Sequence, residues 1–215
     1  MMVRPGLAGS VIVATVLAGG LARRMGGGDK CLAPLGGRPL LDHVLTRIGP
    51  QVDAVILNAN GDPARFEGWN LPVVPDSIEG FAGPLAGVLA GLDWVAANAP
   101  DTRWMVSVPG DAPFLPEDLV AQLFTALECE RAEIVCAASD GRTHPVVAVW
   151  PVGERAALRH ALTDDGVRKV EDWIRRYRLA VVDFPATPVD PFFNANTPQD
   201  IVAAERAIGM RRSGL

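Results

Sequence analysis

Short apolar runs separated by stretches of helical spacing set the outline of this chain. Residues 11–16 are apolar apart from Thr15 and run directly into a glycine-rich segment. A run of this length, without helical spacing, reads as a strand buried on both faces. Runs of the same kind recur at 54–57, 73–74, 105–108, 133–138, 146–150 and 179–184. Between them, Leu40, Leu41, Val44, Leu45 and Ile48 recur at spacings of three and four, which predicts a helix over 39–51 with Pro39 in its first turn. Helices are expected likewise over 85–97, 116–128, 155–162, 167–177 and 197–208, the last with Thr197 as N-cap and Pro198 in the first turn. Within 85–97, the small residues Ala86, Gly87, Ala90 and Gly91 share one face, which points to close packing against a sheet.

Strands alternating with helices predict a three-layer, Rossmann-like α/β domain with right-handed crossovers and a mostly parallel sheet. The short turn at 139–143 pairs its two flanking strands antiparallel, so the sheet is mixed. Ligands of such sheets sit beyond the carboxyl ends of the strands. Residues 17–30, Asn58, Asp76 and Asp111 all follow predicted strands, so they are expected to converge on one crevice.

With 215 residues, the chain fits one domain, read here over 1–209, followed by a frayed tail at 210–215. A net charge of −5 argues against general nucleic-acid binding, which needs massed Lys and Arg. Cys31, Cys129 and Cys136 are odd in number and lack C-x-x-C spacing, which argues against a disulfide framework or a zinc site and suits a reducing cytoplasm. The first apolar run is too short to span a membrane and lacks the cleavage signal of a secretory leader.

The chemistry concentrates at 17–30, where five glycines in fourteen residues accompany Arg23, Arg24 and Lys30. Glycines bring bare backbone N–H groups close to an anion, so this is a phosphate-handling loop. It is not a P-loop, because Lys30 precedes Cys31 rather than Ser or Thr. Nor is it the dinucleotide fingerprint, whose glycine spacing it does not meet.

The segment Leu-Ala-Gly-Gly-x-x-x-Arg-Met-Gly-Gly-x-Asp-Lys resembles the nucleotide loop of the molybdenum cofactor guanylyltransferases of the MobA family. The resemblance continues through Gly37-Arg38-Pro39-Leu40, Asn58-Ala59-Asn60, Pro75-Asp76-Ser77, Gly83-Pro84-Leu85-Ala86-Gly87, Pro109-Gly110-Asp111, His144-Pro145 and Asn194-Ala195-Asn196-Thr197-Pro198. It implies the nucleotidyltransferase version of the α/β fold, similar to glycosyltransferase-A, and transfer of GMP from GTP to Mo-molybdopterin with release of pyrophosphate. Contacts with a receiving molybdoenzyme or chaperone and with a molybdenum-insertion protein would follow. Neither nucleic acid nor a membrane is implied as a partner.

On this resemblance Leu17, Ala18 and Gly19 lie against the guanine, and Gly19 and Gly20 offer backbone N–H groups to the phosphates. Lys30 and Arg24 offset charge on the leaving group. Asp76 reaches the guanosine end, and Asn58 serves either as a base or ribose contact or as a turn residue. Asp111 reads from its spacing equally as a turn cap or a metal ligand, and the resemblance favours the Mg2+ ligand. Arg142, His144, Asn194 and Asn196 are candidates for the acceptor side. Two rival activities on the same scaffold are cytidylyl transfer to the same cofactor and nucleotidyl transfer to a sugar phosphate. A non-catalytic carrier of the cofactor is a third reading.

Overall fold

A computed structural model describes residues 11–19, 29–80 and 83–212. The first strand, β1 (Val13–Leu17), is followed by a two-stranded hairpin, β2 (Pro34–Leu35) and β3 (Arg38–Pro39), then helix α1 (Leu40–Ile48) and strand β4 (Ala54–Asn58). A 3-10 helix at Pro63–Trp69 leads to β5 (Val73–Val74), α2 (Pro84–Asn98), β6 (Trp104–Pro109) and α3 (Leu119–Cys129). The remainder is β7 (Ile134–Ser139), β8 (Arg142–Pro151), α4 (Arg155–Thr163), α5 (Val170–Ile174), β9 (Leu179–Phe184) and α6 (Pro198–Arg212).

Among the described residues seven strands form one sheet in the order β5-β4-β1-β6-β8-β7-β9. β1 is parallel to β4 on one side and to β6 on the other, while β8 runs antiparallel to both β6 and β7. The strand order therefore reverses direction at β1, and the gap beyond β1 and β6 is the topological switch point where α/β sheets hold ligands. The mostly parallel mixed sheet read from the sequence is the one observed.

Each face of the sheet carries its own apolar core. On one face Val16, Leu41, Val108, Leu123 and Phe124 pack beneath α1 and α3; on the other Leu89, Met105, Trp150, Leu158 and Trp173 pack beneath α2, α4 and α5. The small-residue face expected in α2 packs closely on the sheet at Gly87 and Gly91. A Cβ at Gly87 would overlap the Asn58 amide and approach Leu17 Cδ2 at 2.8 Å, and one at Gly91 would overlap Thr15.

Several boundaries differ from the sequence reading. The loop expected at 139–143 is a two-residue turn, with Asp140 at φ 49° and Gly141 at φ 70°, the backbone of a type I′ hairpin. Arg142 and His144 consequently lie within β8 rather than before it. Pro145 falls where the β7 register slips, between the pairs Ala137–His144 and Cys136–Ala148, since proline gives no N–H to the ladder. The helix expected over 167–177 shortens to α5, because its N-cap Lys169 is still extended at ψ 136°. The β2–β3 hairpin was not foreseen; Gly36 and Gly37, at φ 58° and 81°, supply the positive φ that its turn requires. α6 continues to Arg212, past the point where fraying was expected, behind a reciprocal cap: Thr197 Oγ1 accepts from Asp200 N, and Asp200 Oδ2 accepts from Thr197 N at 2.8 Å.

Candidate active site

The crevice edge is built strand by strand, starting where three strand ends are level. Leu17 pairs with Asn58 on one side and Pro109 on the other. Three backbone bonds extend this ladder past the strands: Ala18 N to Asn58 O at 2.9 Å, Ala59 N to Val74 O at 3.1 Å, and Gly110 N to Leu17 O at 3.0 Å. Residues 17–19 are therefore held between β4 and β6 as they leave the sheet. Gly110 makes this approach feasible, because a Cβ there would meet Cys31 Cβ at 3.1 Å and Leu17 O at 3.2 Å.

At the β5–β4 end, Asn58 is 6 % exposed and uses both amide protons inside the protein. One goes to Val74 O at 3.1 Å, the other to Asp76 Oδ1 at 3.0 Å. Asn60 donates to Asp76 Oδ2 at 2.8 Å, and Asp76 N donates back to Asn60 Oδ1 at 2.8 Å. The Asp76 carboxylate is thus fixed in plane by two amides, each oxygen retaining a lone pair for a ligand donor. Asn58 thus orients Asp76, a role that neither of its two sequence readings named.

At the switch point, Lys30 Nζ donates to Asp111 Oδ2 and to Asn196 Oδ1. The lysine and aspartate side chains are only 13 % and 16 % exposed, so their mutual attraction is weakly screened. Asp29, just before the lysine, is ion-paired with Arg65 of the 3-10 helix, and the same guanidinium donates to the backbone oxygens of Asn60 and Asp62. Arg65 so ties the lysine's segment to the Asn60–Asp76 end. Cys31 behind the lysine is buried, its thiol pushed up to about 12 by burial and then by Asp29 and Asp111. It stays a thiol and packs, with no thiolate to attack.

Beyond Asp111 the edge continues to β8 and β7. β6 pairs with β8 as far as Ser107 and Ala148, and His144 follows further along β8 toward the hairpin tip. His144 Nε2 lies 2.7 Å from Ser139 Oγ, Ser139 donates to Asp190 Oδ1 at 2.8 Å, and the ring packs on Phe192 at a centroid distance of 4.8 Å. Burial lowers the His144 pKa below 6.5; Asp190 opposes the shift and Arg142 adds to it. Arg142 itself is exposed at the hairpin tip.

The segment 190–196 crosses from this end back to the switch point. Ala195 N donates to Asp111 O at 3.2 Å, and Asn196 Nδ2 to Asn194 O at 3.2 Å. Asn194 Oδ1 is buried without a hydrogen-bond partner among the described residues.

The structure therefore brings Leu17, Ala18, Gly19, Lys30, Asn58, Asp76, Asp111, His144, Asn194 and Asn196 onto one edge. Asn196 stands with the lysine, while His144 stands on the β7 side. Gly20 and Arg24 lie outside the described residues. Arg65, Ser139, Asp190 and Phe192 were missed, since none sits in a motif and only the folded chain brings them to the site.

A divalent cation fits this donor set. Mg2+ takes hard oxygen ligands and is usually held by one or two carboxylates together with substrate phosphates. Asp111 supplies a carboxylate here, Asn194 Oδ1 is an oxygen without a partner in the adjoining segment, and no group of three or more His, Cys, Asp or Glu among the described residues forms an all-protein cage.

Residues 14–180 match the family model described as "MobA-like NTP transferase domain". The chain is 58 % identical over 200 residues to a molybdenum cofactor guanylyltransferase of Rhodopseudomonas palustris (strain BisB5), covering 93 % of this chain and 95 % of that protein. It is 56 % identical over 195 residues to the same-named protein of Bradyrhizobium sp. (strain ORS 278), covering 91 % and 92 %. A crystal structure of molybdopterin-guanine dinucleotide biosynthesis protein A from Archaeoglobus fulgidus superposes with a TM-score of 0.70 at 25 % identity, over 92 % of this chain and 98 % of that one. A match over most of its length, on a sheet with this switch-point site, makes the chain a member of the MobA-like NTP transferase family.

Proposed function

We infer that the chain is a molybdenum cofactor guanylyltransferase, transferring GMP from GTP to Mo-molybdopterin and releasing pyrophosphate. The single observation that carries the chemistry is the Lys30–Asp111–Asn196 cluster at the switch point, flanked by the Asp76 amide network on one side and His144 on the other. The relatives carry the substrate assignment.

The order of groups along the sheet edge gives each a task. Asp76, oriented by Asn58 and Asn60, accepts N–H groups at the guanine end. Leu17 to Gly19 flank the base, and Gly20 and Arg24 are the phosphate contacts that the family resemblance implies. Lys30 exchanges part of its bonding to Asp111 and Asn196 for phosphate oxygen, and so offsets charge that builds on the leaving pyrophosphate. Asp111 and Asn194 would hold Mg2+, which would act as a Lewis acid that neutralises phosphate charge. Arg142, His144 and the 190–196 segment hold the acceptor so that its terminal phosphate oxygen attacks the α-phosphorus in line. Because the acceptor is the nucleophile, no covalent intermediate on the protein is needed.

No helix among the described residues is long and apolar enough to cross a membrane, and Cys31, Cys129 and Cys136 are free. We place the reaction in the cytoplasm, where the product would pass to a molybdoenzyme or its chaperone and the acceptor would come from a molybdenum-insertion protein.

The test uses GTP labelled at the α-phosphate, Mo-molybdopterin and Mg2+. Label is expected in the cofactor with one pyrophosphate released per transfer. Asp111→Ala should lower turnover by about a thousandfold or more, as expected when a group organising transition-state charge is removed. Turnover unchanged in that variant removes Asp111 from the metal role, and no transfer by the unaltered chain overturns the reading.

A further inference from the structure

Ser139, His144 and Asp190 form a chain of hydrogen bonds whose direction can be read from proton bookkeeping. Asp190 Oδ1 accepts from Ser139 Oγ at 2.8 Å and from Phe192 N at 2.9 Å, two donors converging on one carboxylate oxygen. A hydroxyl has one proton, so Ser139 has given its own to Asp190. At 2.7 Å from His144 Nε2, the same oxygen can then only accept. The Nε2 position must carry the proton, and in neutral imidazole Nδ1 is then bare.

The surroundings hold the ring in that state. Ser139 is 1 % exposed, and His144 packs on Phe192, which stacks edge-on against Phe184 at 5.4 Å. The ring is only partly buried, Nδ1 has no partner among the described residues, and the segment that carries its anchor Asp190 runs on to Ala195, bonded to Asp111 O, and to Asn196 at Lys30. Ser139 is itself only a positioning group, since at 1 % exposure its hydroxyl is closed off from a substrate.

We propose that His144 meets the acceptor as a hydrogen-bond acceptor at Nδ1, held in the Nε2–H tautomer by Ser139 and Asp190, rather than as a cation gripping phosphate. This rests on the function proposed above and specifies one contact of its acceptor site. The chemistry recognised is an N–H or O–H donor. Two groups of the acceptor supply one: the pterin ring, and the hydroxyl of its terminal phosphate when singly ionised. Ser139 and Asp190 act as positioning residues through the imidazole.

The tautomer is read directly by long-range proton–nitrogen NMR on full-length protein labelled at its 3 histidines, without substrate, with His144 assigned by its loss in His144→Phe. At pH 7.5 the expected pattern is protonated Nε2 and bare Nδ1. Kinetically, Ser139→Ala frees the ring to populate the other tautomer and is expected to raise KM for Mo-molybdopterin about tenfold, the value of one well-made hydrogen bond, with KM for GTP unchanged. His144→Phe keeps the stacking and removes both nitrogens, so it should do at least the same even if Ser139→Ala folds poorly.

Comparing pH 6.5 with 8.5 identifies the donor. The second ionisation of a phosphate monoester lies near pH ~6, so a phosphate hydroxyl donor makes the Ser139→Ala penalty vanish at the higher pH. A ring N–H donor leaves the penalty constant. An Nδ1–H or doubly protonated ring, or an unchanged KM for the acceptor in both variants, overturns the proposal. Absence of GMP transfer by the unaltered chain overturns the functional reading instead, and the NMR arm keeps the two failures distinct.

Discussion

Lys30 is held from two directions: its ammonium bonds Asp111 and Asn196, and the residue before it is ion-paired to Arg65. Arg65 is the less obvious half of this arrangement. Its planar fork reaches Asp29 and the carbonyls of Asn60 and Asp62 together, which a lysine's single ammonium cannot reproduce. Arg65→Ala is expected to lower kcat about ten- to hundredfold, because small misplacements of a charge-stabilising group are costly. KM for the acceptor should hold, while Tm should also fall, because Asp29, only 11 % exposed, loses its partner, which costs about 1–3 kcal/mol. Arg65→Lys should recover only part of the rate. Steady-state kinetics with a melting curve decide it, and an unchanged kcat in Arg65→Ala shows that Asp29 needs no such anchor.

Helix α2 sets how closely the nucleotide edge is packed from behind. Gly87 lies against the Asn58 amide and Leu17, and Asn58 cannot yield because both its protons are committed to Val74 and Asp76. Replacing a mid-helix glycine by alanine normally stabilises by about 0.5–1 kcal/mol. Here overpacking should win, costing about 1–3 kcal/mol net and about 2–4 °C in Tm per kcal/mol. KM for GTP should rise as Asp76 loses its alignment, whereas a higher Tm for Gly87→Ala would show the contact to be looser. This contact was legible in sequence because small residues at helical spacing have few uses other than close approach. The β2–β3 hairpin and the 3-10 helix at Pro63–Trp69 were not, being too short to develop any period. The loop read before β8 was polar sequence that nevertheless pairs, since an Asp140-Gly141 turn fixes register irrespective of the residues it carries inward.

Across the whole molecule, strand order converts distant residues into one line, from Asp76 at β5 through Leu17 and Asp111 at the switch point to His144 and Ser139 at β8 and β7. Positions at strand ends could be read from the sequence, because each apolar run announces where it stops. Partnerships could not: Ser139 with Asp190, or Asp29 with Arg65, are separated along the chain by 51 residues in the first case and join only through tertiary packing. A net charge of −5 gives no overall excess of cations, so nucleotide recognition rests on local groups rather than on the surface as a whole. The guanine-facing end of this line and its acceptor end together define one reaction, and base choice tests it most directly. With equal GTP and CTP competing for Mo-molybdopterin and Mg2+, the guanine dinucleotide should form in excess by about a hundredfold, the discrimination expected when the oriented, half-buried Asp76 carboxylate meets the wrong base edge. A predominantly cytosine product would contradict it.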